Sequence, residues 1–75
     1  MRSNEDLVQY YLNLPAQERD TRFASVFRAA EITGLSSRTI QRWAKERHIK
    51  AIFIAERYQI EIESLFNYIK RRARA

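Results

Sequence analysis

The stretch VFRAAEITGLSSRTIQRWAK, residues 26–45, decides the fold because it predicts two short helices joined by a tight turn. Ala30 is small enough for a second helix to cross close by, and Gly34 can adopt the left-handed conformation that ends the first helix. Ser36 or Ser37 then starts the next helix, since either hydroxyl can accept a hydrogen bond from a free N–H group of its first turn. The stretch therefore predicts a pair of crossing helices.

The second helix of the pair, about residues 36–47, has one apolar and one basic face. Ile40 and Trp43 lie three residues apart and face inward together. At about 100° per residue, basic side chains fall in a narrow arc opposite Ile40 and are flanked by Gln41. They are those of Arg38, Arg42 and Lys45. A helix that packs one face on the core and exposes basic side chains on the other is typical of a helix-turn-helix, whose recognition helix enters the DNA major groove.

Short motifs follow one another in a fixed order between Phe23 and Ile69. They are a capping serine, Ala-Ala-Glu, Gly-hydrophobic-Ser, Arg-Thr-hydrophobic-x-Arg-Trp, Ile-Lys-Ala, Arg-Tyr and a hydrophobic pair, at residues 25, 29–31, 34–36, 38–43, 49–51, 57–58 and 65–66. In this order they resemble the MerR-type or excisionase-type winged helix-turn-helix domain. The resemblance implies a DNA-binding domain at residues 23–75, with a hairpin wing after the recognition helix, and a bacterial or phage origin.

The segment after the recognition helix reads as a short β-hairpin. It is rich in β-branched and aromatic residues, and Ile60 and Ile62 alternate with glutamates, which favours strands at 51–54 and 57–60. One long helix is the alternative, because neither Gly nor Pro occurs after Gly34. The turn, Ala55-Glu56, lacks the Gly or Asn that tight hairpin turns prefer, so we expect an atypical wing.

Helical spacing predicts one helix at each end of the chain. Residues 62–72 place apolar side chains at i, i+3, i+4 and i+7, which are those of Ile62, Leu65, Phe66 and Ile69. Residues 1–22 form an N-terminal extension whose helical pattern Pro15 ends, although Asn13 could equally cap a new turn with Pro15 near its start. This extension either packs against the core or serves as an arm for dimerisation. The predicted fold is mainly α: a winged helix-turn-helix with a short two-stranded β-hairpin wing and an extra N-terminal helix.

The net charge of +5 is unevenly distributed. Residues 1–33 carry a net charge of −1, residues 34–60 a net charge of +4, and residues 61–75 a net charge of +2. The positive charge therefore coincides with the predicted recognition helix, the wing and the tail. Because each phosphate contact releases condensed counterions, this asymmetry favours a polyanion as the partner.

Composition excludes several function classes. The chain has no cysteine, so disulfides, thiol catalysis and cysteine-based metal sites are ruled out. The single histidine, His48, has no second ligand nearby in the sequence, the carboxylates form no acid/base pair, and no glycine-rich phosphate loop occurs. We expect no enzymatic activity, no metal and no cofactor. No apolar run approaches the roughly 18 residues of a membrane span, and no signal peptide is evident, so we expect a cytoplasmic, nucleoid-associated protein.

Candidate DNA contacts lie on the second helix and beyond it. Arg38 and Arg42 are the leading base readers, since a guanidinium can pair bidentately with guanine, while Gln41 can read adenine. Ser37 and Thr39 can touch a phosphate or a thymine methyl group. The remaining predicted phosphate contacts are Ser36, Lys45, Lys50 and Arg57.

Two classes of function follow. The first is binding of double-stranded DNA, and the resemblance implies either a small transcriptional regulator or an excisionase-like accessory factor in recombination. A homodimer or a cooperative assembly on DNA is compatible with both roles. The alternative is a protein-interaction or assembly module built on the same fold, and the chain can be one domain of a longer protein.

Overall fold

The computed structural model describes residues 3–74. In that range, five helices and three strands occur in the order α1 (Ser3–Asn13), α2 (Ala16–Arg22), β1 (Phe23–Ser25), α3 (Val26–Thr33), α4 (Ser37–Lys45), β2 (Ala51–Ile54), β3 (Arg57–Glu61) and α5 (Ile62–Arg74). The strands form one antiparallel sheet in the order β1-β3-β2. This architecture confirms the predicted fold class, a mainly helical winged helix-turn-helix.

The turn between α3 and α4 has the predicted chemistry. Gly34 has φ of 77°, in the left-handed region, and its N–H donates to the carbonyl of Ala30 at 2.9 Å. Ser36 is the N-cap of α4, because its Oγ accepts from the Thr39 N–H at 3.1 Å. Of the two serines that the sequence offered as caps, the first is therefore the cap, and α4 begins at the second, Ser37.

The core forms behind the two crossing helices. Ala29 and Ile40 are fully buried, and Trp43 is 6% exposed. Ala30, which the sequence analysis singled out as the small residue at the crossing, is only partly buried beside this core. The buried cluster consists of Val26, Ala29, Ile40, Trp43, Ala44, Ile49, Ile60 and Leu65.

The sheet has one strand more than predicted. The expected hairpin of β2 and β3 is present, but β1 also pairs with β3, so the sheet is three-stranded. Ile60 lies between Ala24 on one side and Ala51 on the other. A strand of three residues is too short for alternation of apolar and polar side chains to reveal it.

The two faces of the sheet are both covered. Ile60 points to the helix-turn-helix core, whereas Ile52 and Phe23, one register position away, lie on the opposite face. Ile52 is fully buried and Phe23 is 3% exposed. On this second face the Phe23 ring contacts the rings of Tyr10 and Tyr11, with centroids 6.3 Å and 5.0 Å away. Helix α1 therefore extends the hydrophobic core across the sheet.

The N-terminal extension contains two helices, and the second begins directly after Pro15, which is the alternative of a new turn there; its N-cap is Pro15 and not Asn13. The Arg19 side chain of α2 donates to three carbonyls at the end of α1, those of Tyr11, Leu12 and Leu14, at 3.0–3.2 Å. Carbonyls at the end of a helix lack the N–H donors of a following turn, so Arg19 supplies donors there, beside the Leu14 N–H that also bonds to the Tyr11 carbonyl. In α2, a hydrogen bond from Arg22 to Glu18 raises the pKa of the Arg22 guanidinium, which stays charged.

Helix α5 buries part of the predicted apolar stripe and one residue beside it. Leu65 is fully buried and Ile69 packs against the core, as predicted, whereas Phe66 of the stripe is 39% exposed. Tyr68 packs against the core instead, and its ring meets the Trp43 ring edge-on at 4.8 Å. The contact between Trp43 of α4 and Tyr68 of α5 therefore takes the place expected for Phe66.

The wing turn is strained. β2 and β3 pair up to Ile54 and Arg57, which leaves Ala55 and Glu56 as a two-residue loop. Both have positive φ, 52° and 60°. Such turns normally carry Asn and Gly, because other side chains disfavour the left-handed region.

Replacing the turn by its preferred residues should stabilise the protein. We expect Ala55→Asn with Glu56→Gly to raise the free energy of unfolding by about 1 kcal/mol or more, because two left-handed positions lose their steric strain. Ala55→Val is the matched control and should lower it, since a β-branched side chain is worse at this φ. Urea unfolding followed by Trp43 fluorescence measures both, and an unchanged midpoint in the first variant would contradict the strain.

Truncating Phe23 tests the second face of the sheet. We expect Phe23→Ala to cost about 3–5 kcal/mol, because it removes the ring that joins α1 to the sheet. Phe27→Ala is the matched control: Phe27 is 77% exposed, so its truncation should change stability by less than about 0.5 kcal/mol. Equal effects in the same unfolding assay would show that α1 does not share the core.

Candidate nucleic-acid interface

The outward face of α4 carries four adjacent polar side chains. Arg38, Gln41, Arg42 and Lys45 are all exposed. The buried residues of the same helix are Ile40, Trp43 and Ala44. Because Arg38 and Arg42 are four residues apart, they lie one turn from each other on one face. The helix therefore presents hydrogen-bond donors and positive charge on the side away from the core.

The start of α4 groups the three hydroxyl residues of the predicted interface. Ser37 and Thr39 are half-buried and Ser36 is exposed. The Oγ atoms of Ser36 and Thr39 are 2.9 Å apart and share one hydrogen bond. Two hydroxyls that share one such bond keep one free O–H hydrogen between them. The pair can therefore give one hydrogen bond to an outside acceptor while Ser36 continues to cap the helix.

Lys50 lies on an anchored segment just before β2. Its N–H donates to Ser64 Oγ at 2.9 Å, and its carbonyl accepts from the Glu61 N–H at 2.9 Å. Ser64 Oγ in turn donates to the Glu61 carbonyl. These bonds fix the backbone between α4 and the wing, while the Lys50 side chain stays exposed.

Arg57 stands apart from the other candidates. It is exposed at the start of β3 and pairs with Ile54 next to the strained turn. By register it is on the sheet face of Ile52, opposite the face of Ile60 that packs on the helix-turn-helix core. The structure thus does not group Arg57 with the basic residues of α4.

An open groove lies beyond the C-terminal end of α4. Lys45 and Lys50 both line it, together with Arg47, which the sequence analysis did not select. Arg47 is exposed and has φ of 64°. Its charge and its place after the helix were visible in the sequence, but its backbone conformation was not, because the residue is not a glycine.

The aromatic residues behind α4 are held by cations of α5. The Arg72 guanidinium lies 5.5 Å from the centroid of the Trp43 ring and 5.7 Å from that of Tyr68. The His48 ring stacks on Tyr68 at 5.2 Å, and its Nε2 is 3.3 Å from Glu46 Oε1. Arg72 therefore contacts the aromatic pair from α5, and His48 contacts Tyr68 from the segment after α4.

The described residues have the features of a binding surface. Between residues 3 and 74, no three His, Cys, Asp or Glu side chains are arranged to hold a metal ion. None of the helices in that same range has both the length and the apolar character needed to cross a membrane. What the surface offers chemically is a set of exposed donors and cations on one rigid helix.

Comparison with known proteins connects this geometry to a family. The helix-turn-helix domain family matches residues 25–73, which is well over half of the chain and runs from the cap of α3 into α5. No curated protein matches the chain, and no solved structure does. The match carries a general indication of DNA binding and does not extend to the MerR or excisionase type, which stays a prediction. Because the match covers both crossing helices, the wing and most of α5, the chain belongs to the helix-turn-helix domain family.

Proposed function

We propose that this protein binds double-stranded DNA by inserting α4 into the major groove. The observation that carries the proposal is the division of α4 into a buried face, with Ile40 and Trp43, and an exposed basic face, with Arg38 and Arg42. An α-helix fits the major groove, and a recognition helix contacts base edges mainly with its N-terminal residues. The family match supports the same interpretation.

Arg38, Arg42 and Gln41 are the proposed base readers. A guanidinium can donate two hydrogen bonds to O6 and N7 of guanine, and a glutamine amide can pair in a similar way with adenine. Ser37 and Thr39 lie in the first turn of α4, where they can contact a phosphate or a thymine methyl group. Specificity then rests on two or three of these side chains, because half to two-thirds of protein–DNA hydrogen bonds go to phosphate and sugar.

The proposed phosphate contacts flank the base readers. Lys45 and Lys50 line the groove at the end of α4. Ser36 contributes through its hydrogen-bonded pair with Thr39, which keeps one free O–H for a phosphate oxygen. Arg57 reaches DNA through the wing, and its position on the other sheet face makes it the most peripheral contact. These residues position the protein on DNA without reading the sequence.

Removing both base-reading arginines tests the proposal. We expect Arg38→Ala with Arg42→Ala to weaken binding at least about tenfold, because each bidentate pair contributes about 1–3 kcal/mol. Fluorescence anisotropy with a random-pool duplex and a genomic-fragment duplex, at two salt concentrations, measures the loss. Wild-type binding should weaken steeply as salt increases.

A charge-matched variant separates specific contacts from net charge. Arg22→Ala with Lys70→Ala removes two positive charges from the exposed surfaces of α2 and α5 and should leave binding within about threefold, because screening weakens charges that make no direct contact. If the wild type binds neither duplex at low salt, or if both double variants lose affinity equally, insertion of α4 into the groove is wrong.

Two biological roles are compatible with the proposal, and DNA geometry distinguishes them. A transcriptional regulator would bind one palindromic promoter site as a dimer. An excisionase-like accessory factor would fill adjacent sites cooperatively and bend the DNA. Gel mobility of circularly permuted fragments carrying one or several sites measures both stoichiometry and bending: position-dependent mobility with cooperative filling supports the accessory role, and an unbent dimer complex supports the regulator.

A protein-interaction module is the second candidate function. The observation in its favour is Phe27 on α3, which is 77% exposed and apolar. Aromatic side chains are enriched in the cores of protein–protein interfaces. If this function is correct, partner or self-association will be lost in Phe27→Glu and retained in Arg38→Ala with Arg42→Ala, as measured by light scattering or pull-down with a defined partner.

A further inference from the structure

We propose that Arg47 is a phosphate-binding residue held at the C-terminal end of α4 in a backbone conformation that favours glycine. The inference rests on the proposed DNA-binding function and adds a contact that charge patterning had not identified. Three observations carry it: the hydrogen bonds that end α4, the conformation of Arg47, and the surroundings of its side chain.

The hydrogen bonds at the end of α4 form a defined helix-stop motif. The Arg47 N–H donates to the Ala44 carbonyl at 3.1 Å, and the His48 N–H donates to the Trp43 carbonyl at 2.9 Å. Glu46 is the last residue before the chain turns, and its N–H still bonds within the helix. This 6→1 and 5→2 pattern places the residue after the cap in the left-handed region, where glycine is the usual occupant.

Arg47 occupies that glycine-like position with φ of 64°. A non-glycine side chain pays a steric cost there, because its Cβ approaches the neighbouring carbonyl. Asn and Asp reduce this cost because their short side chains can form a hydrogen bond with the neighbouring backbone. The long arginine side chain does not gain this local hydrogen bond. Local structure alone would therefore favour Gly or Asn at this position.

The Arg47 side chain finds no compensating partner in the described part of the chain. Residues 3–74 contain no hydrogen bond and no ion pair of its guanidinium. The neighbouring carboxylate of Glu46 is directed to His48, at 3.3 Å from its Nε2. Within these residues the charge of Arg47 is therefore available to an outside anion.

The surroundings of Arg47 indicate which anion this is. Lys45, Arg47 and Lys50 line one open groove and come from the end of α4 and the segment that follows it. Three of the four Lys and Arg side chains that line the groove come from residues 45–50, and the fourth is Arg71 of α5. The acidic residues of the lining are Asp6, Glu61 and Glu63. A helix in the major groove has the DNA backbone at its ends, which brings a phosphate to this segment.

A favourable cation at a helix C-terminus is the competing structural explanation. Three variants separate the two. Arg47→Ala removes the charge and keeps the strain, Arg47→Gly removes both, and Arg47→Lys keeps the charge. Each variant is measured by urea unfolding and by DNA anisotropy over a range of salt concentrations, with the same duplexes as the wild type.

We expect Arg47→Gly to unfold at a higher urea concentration than Arg47→Ala, while both bind DNA equally weakly. Their affinity at low salt should fall roughly threefold or more, and the slope of log K against log salt should become shallower by about 0.9, the value for one lost phosphate contact. Arg47→Lys should keep the wild-type slope. DNA affinity across the three variants would then depend on the charge at position 47 and not on the free energy of unfolding.

Ala55→Gly is the matched control, because it relieves strain at another left-handed residue without removing a cation. It should gain stability and keep the wild-type salt slope. If wild type binds DNA but Arg47→Gly and Arg47→Ala retain its affinity and slope, the phosphate contact is wrong and Arg47 acts only on the fold. If the wild type does not bind DNA at all, the proposed function itself is overturned and this contact with it.

Discussion

The left-handed conformation of Gly34 is the constraint on which the rest of the structure depends. It ends α3 after eight residues and lets α4 begin at Ser37, so that the two helices cross. A Cβ atom added at this position would meet no other atom within 4 Å. The requirement is therefore conformational and not spatial, and any residue that tolerates φ of 77° preserves the crossing at the cost of strain. The single glycine of the chain stands where the helix pair needs it.

Once the crossing is set, α4 is held at both ends. Its first turn is capped by Ser36, and its last turn is closed by the bonds from Arg47 and His48. Between these ends, Trp43 packs edge-on against Tyr68 of α5. A helix fixed in this way presents its exposed side chains on a rigid backbone, and little backbone entropy is lost when a ligand binds to it.

Much of this arrangement could be predicted from the sequence, because it follows from patterns within a few residues of one another. Helical spacing and caps located α3, α4 and the turn between them, and β-branched density located the hairpin despite its poor turn residues. Other features depend on contacts between distant segments. β1 forms because its three residues pair with β3 around Ile60. Tyr68, and not Phe66, packs against the core, where its ring contacts Trp43 of α4.

The candidate site was predictable to a different degree at each end of α4. The exposed face of the helix follows from its buried face, since one determines the other at 100° per residue. The groove beyond it depends on how the chain leaves the helix, which no local pattern specifies for a sequence without glycine there. For this reason Lys45 and Lys50 were selected by charge alone, and Arg47 became apparent only with its conformation.

Backbone strain in this domain is concentrated after α4. Three non-glycine residues of the described chain have positive φ, and all of them, Arg47, Ala55 and Glu56, lie between α4 and β3. At about 1 kcal/mol or more each, they take a substantial share of the roughly 5–15 kcal/mol by which a domain is stable. Nothing in the structure explains the strain at Ala55 and Glu56. At Arg47 the strain comes with a cation on the surface proposed for DNA, so stability and binding favour different residues at that position.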